Sequence, residues 1–169
     1  NTHEVKFYGK FSKSISKNNT IINLLKVLDK MNKLKNKKFS IKVYKHIPTK
    51  SGLGGGSMNA ASVLKYLLQK KYIKLNFKEI KKVTSKIGSD VIIGMEHKNL
   101  IVHGNGNLQR IKKKFNLVTL IIKPKFGCST ANIYKLTKNL SKSNFKNLKI
   151  SRLDINFLTK CKNDLEMAA

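Results

Sequence analysis

At 169 residues, with 40% apolar and 26% charged residues, the chain is long enough for a packed core and too apolar for a disordered segment. The formal charge of +28 is almost all lysine, since only Arg110 and Arg152 are arginine, and it is spread from end to end. A nucleic-acid surface clusters its basic residues and favours the arginine fork, so this charge points to solvated positions and not to a dedicated nucleic-acid partner.

Three further exclusions follow from composition. No apolar run approaches the roughly 18 residues that a membrane helix needs, and no signal-peptide layout opens the chain, so no membrane partner is expected. Cys128 and Cys161 are too few for a disulfide framework, and free thiols in a reducing compartment are expected. The histidines at 3, 46, 97 and 103 include no pair at metal-ligand spacing, so no protein-held metal site is predicted.

In chain order, Val5, Phe7 and Phe11 alternate as in a strand over Glu4 to Phe11. Asn18-Asn19-Thr20 offers helix-cap chemistry ahead of Leu24, Val27, Leu28 and Met31, spaced i, i+3, i+4 and i+7. Lys33 to Lys38 reads as a charged turn. A strand from Phe39 to Ile47 ends in Lys45 and His46, which are either exposed charges at a strand end or the lining of a nucleotide pocket.

The next stretch organises the chain: Ile47-Pro48-Thr49-Lys50-Ser51-Gly52-Leu53-Gly54-Gly55-Gly56-Ser57-Met58-Asn59-Ala60-Ala61. Four of its residues between positions 52 and 56 are glycine. A strand leads in and an Ala60, Ala61, Leu64, Leu67, Leu68 stripe leads out on a helix expected from Ser57 to about Lys70. Strand, glycine loop and helix N-terminus make an anion site, because glycines let the backbone curl around one point and the helix adds its positive end. Ser57 is placed to cap that helix and to offer a hydroxyl to a phosphate or its metal. The loop is not a Walker A, since no Gly-Lys-Ser/Thr follows at the required spacing. It is not a Rossmann fingerprint either, since no acidic residue lies about 20 residues on.

Phe77, Ile80, Val83 and Ile87 mark a second helix, which Gly88 would close as a C-cap glycine. Asp90 follows, joined to Val91-Ile92-Ile93. One of only eight acids in the chain, it is either a turn cap or a chemical group. Leu100 to His103 and Leu117 to Lys123 read as strands, the second so apolar that it should be central, with Gly104-Asn105-Gly106-Asn107 a hairpin turn signal between them. Ser129-Thr130-Ala131 is a capped start to a helix containing Tyr134. Residues 138–149 form a polar, lysine-rich surface stretch, and Asp154, Phe157, Leu158 and Cys161 suggest a last helix running into Asn163-Asp164.

The run Pro-x-x-Ser-Gly-Leu-Gly-Gly-Gly-Ser-x-Asn-Ala-Ala resembles the phosphate loop of the GHMP kinases. Within that superfamily the Leu-Gly-Gly-Gly-Ser core is most similar to the diphosphocytidyl-methylerythritol kinases. Gly88-Ser89-Asp90-Val91 resembles their catalytic aspartate motif and Gly104-Asn105-Gly106 their following small-residue turn. Ser129-Thr130-Ala131 and Asn163-Asp164-Leu165-Glu166 match shorter signatures. The resemblance implies an α+β fold of the ribosomal-protein-S5 domain 2-like type. Residues 1–127 would be an ATP-binding domain lacking its first strands, and 128–169 the incomplete start of a C-terminal domain.

It further implies phosphoryl transfer from ATP, with Mg²⁺, to the free hydroxyl of the small-molecule substrate diphosphocytidyl-methylerythritol, in non-mevalonate isoprenoid biosynthesis. Asp90 would be the catalytic base. Pro48, Gly52, Leu53, Gly54, Gly55, Gly56, Ser57, Asn59, Asn19 and Lys45 would bind ATP, and Thr130 and Tyr134 the substrate. For Asn19 a plain N-cap, and for Tyr134 a half-buried core position, stand as equal readings. The expected setting is a bacterial cytoplasm, or a plastid-type organelle, with the protein a monomer or homodimer. The chain departs from the resembled pattern in having Met58 where serine is usual. It also lacks an N-terminal lysine segment and a second glycine loop, which makes it read as a fragment, split gene or decayed copy whose own activity is open. The alternatives are another GHMP small-molecule kinase and an RNA-binding protein of S5-like fold.

Overall fold

A computed structural model describes the chain except residues 1, 14, 104–106, 123–126, 128–129, 138–139, 142–152 and 169. It divides into two compact units, Asn1–His97 and Lys98–Ala169, and the expected boundary at 127/128 falls inside the second.

In the first unit, Val5 and Phe7 alternate with exposed Glu4, Lys6 and Tyr8, which gives strand β1 (Glu4–Tyr8) one inward apolar face. Ile41 and Val43 do the same for β2 (Ser40–Tyr44), and the two pair in parallel with Glu4 opposite Ser40 and Tyr8 opposite Tyr44. Parallel neighbours need a crossover, here helix α1 (Thr20–Lys30). Ile21, Leu24, Leu25 and Leu28 form its buried stripe, part of the core against which Val5, Phe7, Ile41 and Val43 pack.

Helix α2 (Gly55–Gln69) adds Ala60, Ala61, Leu64 and Leu67 to the same core, and α3 (Phe77–Ile87) adds Val83. Each fully buried leucine contributes about 1.5–3 kcal/mol relative to exposure, so this shared core carries the unit. Asn76 caps α3 in a reciprocal box with Glu79. Gly88 does end α3, but in extended backbone (φ 166°) and not in the left-handed cap expected. The chain passes through it to α4 (Val91–Gly94), a single turn anchored by buried Val91.

In the second unit, β3 (Asn99–Val102) pairs antiparallel with β4 (Leu108–Ile111), Asn99 lying opposite Ile111. The expected partner, Leu117 to Lys123, is not a strand: its described residues 117–122 carry no regular structure, and Leu117, Val118, Leu120, Ile121 and Ile122 are exposed. Residues 108–111 follow the turn directly and close the shorter loop, so they take the edge of β3 first. The turn glycines Gly104 and Gly106 lie outside the described residues, as do Ser129 and most of 138–149. Helix α5 (Thr130–Leu136) follows, then α6 (Ile155–Thr159), which Asp154 caps by accepting from Phe157 N at 2.7 Å. A 3₁₀ turn spans Glu166–Ala168. Strands and helices mix in both units, and the fold class is α+β as expected.

Candidate active site

The glycine loop joins β2 to α2 within the first unit. Its backbone turns left-handed at every second position, Lys50 (φ 54°), Gly52 (φ 71°) and Gly54 (φ 61°). Glycine adopts that region freely where other residues are strained, which is why two of the three positions carry it. Ser51 ties the bend by donating its hydroxyl to Pro48 O at 3.0 Å.

Helix α2 begins at Gly55 with Gly54 as N-cap, so Ser57 is the third helical residue and does not cap. The expected cap is displaced because the left-handed Gly54 already closes the first turn, through Met58 N to Gly54 O at 3.0 Å. With no side chain at position 54, α2 has no side-chain cap. The N–H groups of Gly55, Gly56 and Ser57 have no intrahelical acceptor, and the helix dipole puts partial positive charge there.

A second cation stands beside this end. Lys45, directly after β2, is only 8% exposed, which excludes the reading of a solvated strand-end charge. Its backbone N–H is tied to Tyr8 O at 2.7 Å, and its Nζ lies 3.1 Å from where a side chain on Gly55 would begin. Among the described residues no acceptor is paired with that ammonium. The ammonium stands beside the positive end of the helix with no paired carboxylate to offset it, and an anion on the loop would do so. His46, the neighbouring candidate, is exposed.

Asp90 reaches the loop from the other direction in sequence. Its Oδ2 lies 3.9 Å from the position a Gly54 side chain would start from, and its Oδ1 accepts from Ser89 Oγ at 3.1 Å. It precedes α4 but makes no side-chain cap, so the turn-cap reading leaves its carboxylate unexplained. Asp90 is exposed, open to a ligand, and not enclosed by the apolar run that follows it. Ser57 Oγ lies 3.7 Å from the side-chain position of Gly88, so its hydroxyl faces the Gly88-Ser89-Asp90 segment.

Asn19 uses its carboxamide oxygen to cap α1, accepting from Ile21 N and Ile22 N, both at 3.1 Å. Its neighbour Thr20, which the sequence marks only as part of the cap run, donates Oγ1 to Gly56 O at 2.7 Å and ties α1 to the loop. Nothing in a one-dimensional pattern marks a bond across 36 positions. Asn59 is half-buried in the second turn of α2, Leu53 is exposed, and Pro48 is half-buried at the loop's start. Thr130 and Tyr134 belong to the second unit: Thr130 opens α5, and Tyr134 is exposed, against the half-buried core reading. No group of three or more metal-ligating side chains occurs among the described residues.

A family model described as the GHMP kinases N terminal domain matches residues 19–100, the interval from the α1 cap through the glycine loop and Asp90. The chain is 47% identical over 167 residues to the 4-diphosphocytidyl-2-C-methyl-D-erythritol kinase of Pelagibacter ubique, covering 99% of this chain and 59% of that relative. It is 36% identical over 125 residues to the protein of the same name from Fusobacterium nucleatum, covering 72% of this chain and 42% of the relative. The one from Clostridium kluyveri is 37% identical over 97 residues, 57% and 35% of the two chains. The chain thus spans about three fifths or less of the length of these curated relatives. No solved structure matches it. No helix among the described residues is long and apolar enough to cross a membrane.

Proposed function

We propose that residues 19–100 form a GHMP kinase domain, which binds ATP at the glycine loop and serves the phosphorylation of the free hydroxyl of 4-diphosphocytidyl-2-C-methyl-D-erythritol. The observation that carries the reading is Lys45: a residue only 8% exposed, with no ion-pair partner among the described residues, whose Nζ stands at the uncapped N-terminus of α2. Both features call for the same ligand, a polyphosphate. Lys45 and the N–H groups of Gly55, Gly56 and Ser57 would hold its oxygens by charge-assisted hydrogen bonds. The name shared by the relatives supplies the acceptor.

Asp90 would then act as base. The acceptor hydroxyl oxygen bonds to the γ-phosphorus, and the bond from that phosphorus to its bridging oxygen breaks. ADP leaves with the electron pair, and the hydroxyl proton passes to the Asp90 carboxylate. Ser57 Oγ and Asp90 are oxygen donors of the kind Mg²⁺ accepts, and one carboxylate suits an ion that keeps its waters and takes the rest of its shell from phosphates. When bound, such an ion neutralises charge on the phosphates. Thr20 holds the Gly56 carbonyl and so keeps the loop in shape. Tyr134 is available to stack on a cytosine ring.

Calorimetry with Mg-ATP tests the site. The wild-type chain should bind, and Gly55→Asp should not. A side chain at position 55 would start 3.1 Å from Lys45 Nζ, and its carboxylate would take the place of phosphate on that ammonium. Unchanged ATP affinity in Gly55→Asp overturns the loop assignment.

A further inference from the structure

Helix α4 is one turn long and carries Asp90 immediately ahead of it, so whatever seats α4 also decides where that carboxylate stands. Val91 seats its start in the core. At its end, the backbone of Gly94 lies so close to α2 that a methyl group there would meet Ala61 Cβ at 2.7 Å. The same methyl would meet Met58 Cε and Sδ at 2.9 and 3.0 Å. Carbon atoms pack best at about 3.5–4.0 Å, so even an alanine does not fit. Gly94 is not among the left-handed glycines, so proximity and not backbone freedom demands glycine here. Met58 is flexible and could swing aside, but Ala61 is fully buried on the helix and cannot.

The contact is informative because of what lies at either side of it. Ala61 and Met58 belong to the first turns of α2, the helix whose N-terminus is the glycine loop. Gly94 N also bonds back to Asp90 O at 3.2 Å, so the seat and the carboxylate are one turn of the same helix. Met58, unusual against the resembled pattern, has its thioether on α4.

We propose that Gly94 is a positioning residue: by admitting α4 to bare contact with Ala61 and Met58, it holds Asp90 beside Gly54 of the loop. The inference rests on the kinase reading only in the task it gives Asp90.

The test has a geometric arm and a kinetic arm. In a chain with Cys128 and Cys161 replaced by serine, Ser57→Cys and Gly88→Cys are introduced, since Ser57 Oγ lies 3.7 Å from the Gly88 side-chain position. Disulfide formation under mild oxidant then reports the spacing of loop and aspartate segment. Because a disulfide tolerates little displacement, adding Gly94→Ala should slow it by about 10-fold or more. Adding Ala61→Gly as well should restore it. Met58→Ala, which loosens the seat without crowding it, should slow the reaction less, and decides the matter if Gly94→Ala does not fold. In the kinetic arm, Gly94→Ala should lower kcat by about 10- to 100-fold with KM for ATP little changed, and Ala61→Gly should recover it.

Unchanged cross-linking in both Gly94→Ala and Met58→Ala, or no recovery with Ala61→Gly, overturns the proposal. So does full turnover in a Gly94→Ala protein that has lost the cross-link. Cross-linking as expected in a protein that transfers no phosphoryl group supports the seat and counts against the kinase reading instead.

Discussion

Helices α1 and α2 begin in opposite ways. At α1, Asn19 accepts two backbone N–H groups, and Thr20 spends its hydroxyl on the neighbouring loop. At α2, the longest helix described, Gly54 has no side chain to offer, and the nearest cation, Lys45, has no partner among the described residues. The α1 start follows the usual requirement that a helix satisfy its own ends, as do Asn76 at α3 and Asp154 at α6. The α2 start has no side-chain cap, and the proposed ligand would meet that requirement instead. Within one small unit, the long helix that lacks a side-chain cap is the one to which we assign the chemistry.

The contrast can be broken most severely at Asp90. In a form of the protein that turns over, Asp90→Asn should lower kcat by about 10²–10⁴-fold while KM for ATP moves little. If Asp90 were only a cap, the variant would instead cost about 1 kcal/mol of stability and leave turnover per folded molecule intact. A titration with Mg²⁺ separates a base from a metal ligand, because only the ligand variant should need more metal.

Lys45 comes next. Lys45→Met keeps the buried stem and removes the charge. Loss of one charge-assisted hydrogen bond, worth about 1.5–3 kcal/mol, should weaken ATP roughly 10- to 100-fold by calorimetry. The same variant should unfold at equal or higher denaturant, since it also removes a positive charge set beside the positive end of α2. Weaker folding with unchanged ATP affinity would mean that the lysine serves the fold and not a ligand.

The capped ends should respond in the reverse sense. Asn76→Ala should cost about 1 kcal/mol in denaturant unfolding and leave ATP binding as it was. Asn19→Ala should cost a similar amount; if it also weakens ATP more than GTP, its carboxamide reads the base as well as capping the helix.

The mildest perturbation is acid. Hydrogen bonds from Lys33 and then from the Asn76 backbone hold Glu79 below its ordinary value of 4.5. Burial pushes Asp29 up, but hydrogen bonds from Lys38 and His3 outweigh it and hold that carboxyl below 3.8. Both groups are lowered on folding, so the stability they add is present above those values and is lost as pH falls through and below them. Thermal unfolding between neutral pH and pH 3 should show a decline that begins near pH 4.5. Glu79→Gln should remove part of it.

Much of this was legible in the sequence, for identifiable reasons. Helix α3 was readable to its ends because Phe77, Ile80, Val83 and Ile87 keep a helical period without interruption. The strand–glycine–helix layout announced an anion site because nothing else needs glycine so densely between two regular elements. What the sequence does not show depends on partners distant in the chain. Lys45 is buried among Tyr8, Gly9 and Gly55, which come from separate stretches of the chain. The Thr20 bond to Gly56 and the contact of Gly94 with Ala61 join separate helices. The hairpin was anticipated with the wrong second strand, because apolar content made Leu117 to Ile122 look central while proximity favoured Leu108–Ile111.

That misassigned run also has a colloidal consequence. Leu117, Val118, Leu120, Ile121 and Ile122 are exposed side by side, a short, uncharged, β-prone stretch of the kind that nucleates association between chains. The restraint on it is the repulsion between molecules carrying a formal charge of +28 each. Such repulsion reaches about 30 Å at 0.01 M salt and about 8 Å at 0.15 M. The chain should therefore scatter as single particles in dilute buffer and cloud as salt is added, and a lysine in place of Leu120 should move that threshold upward.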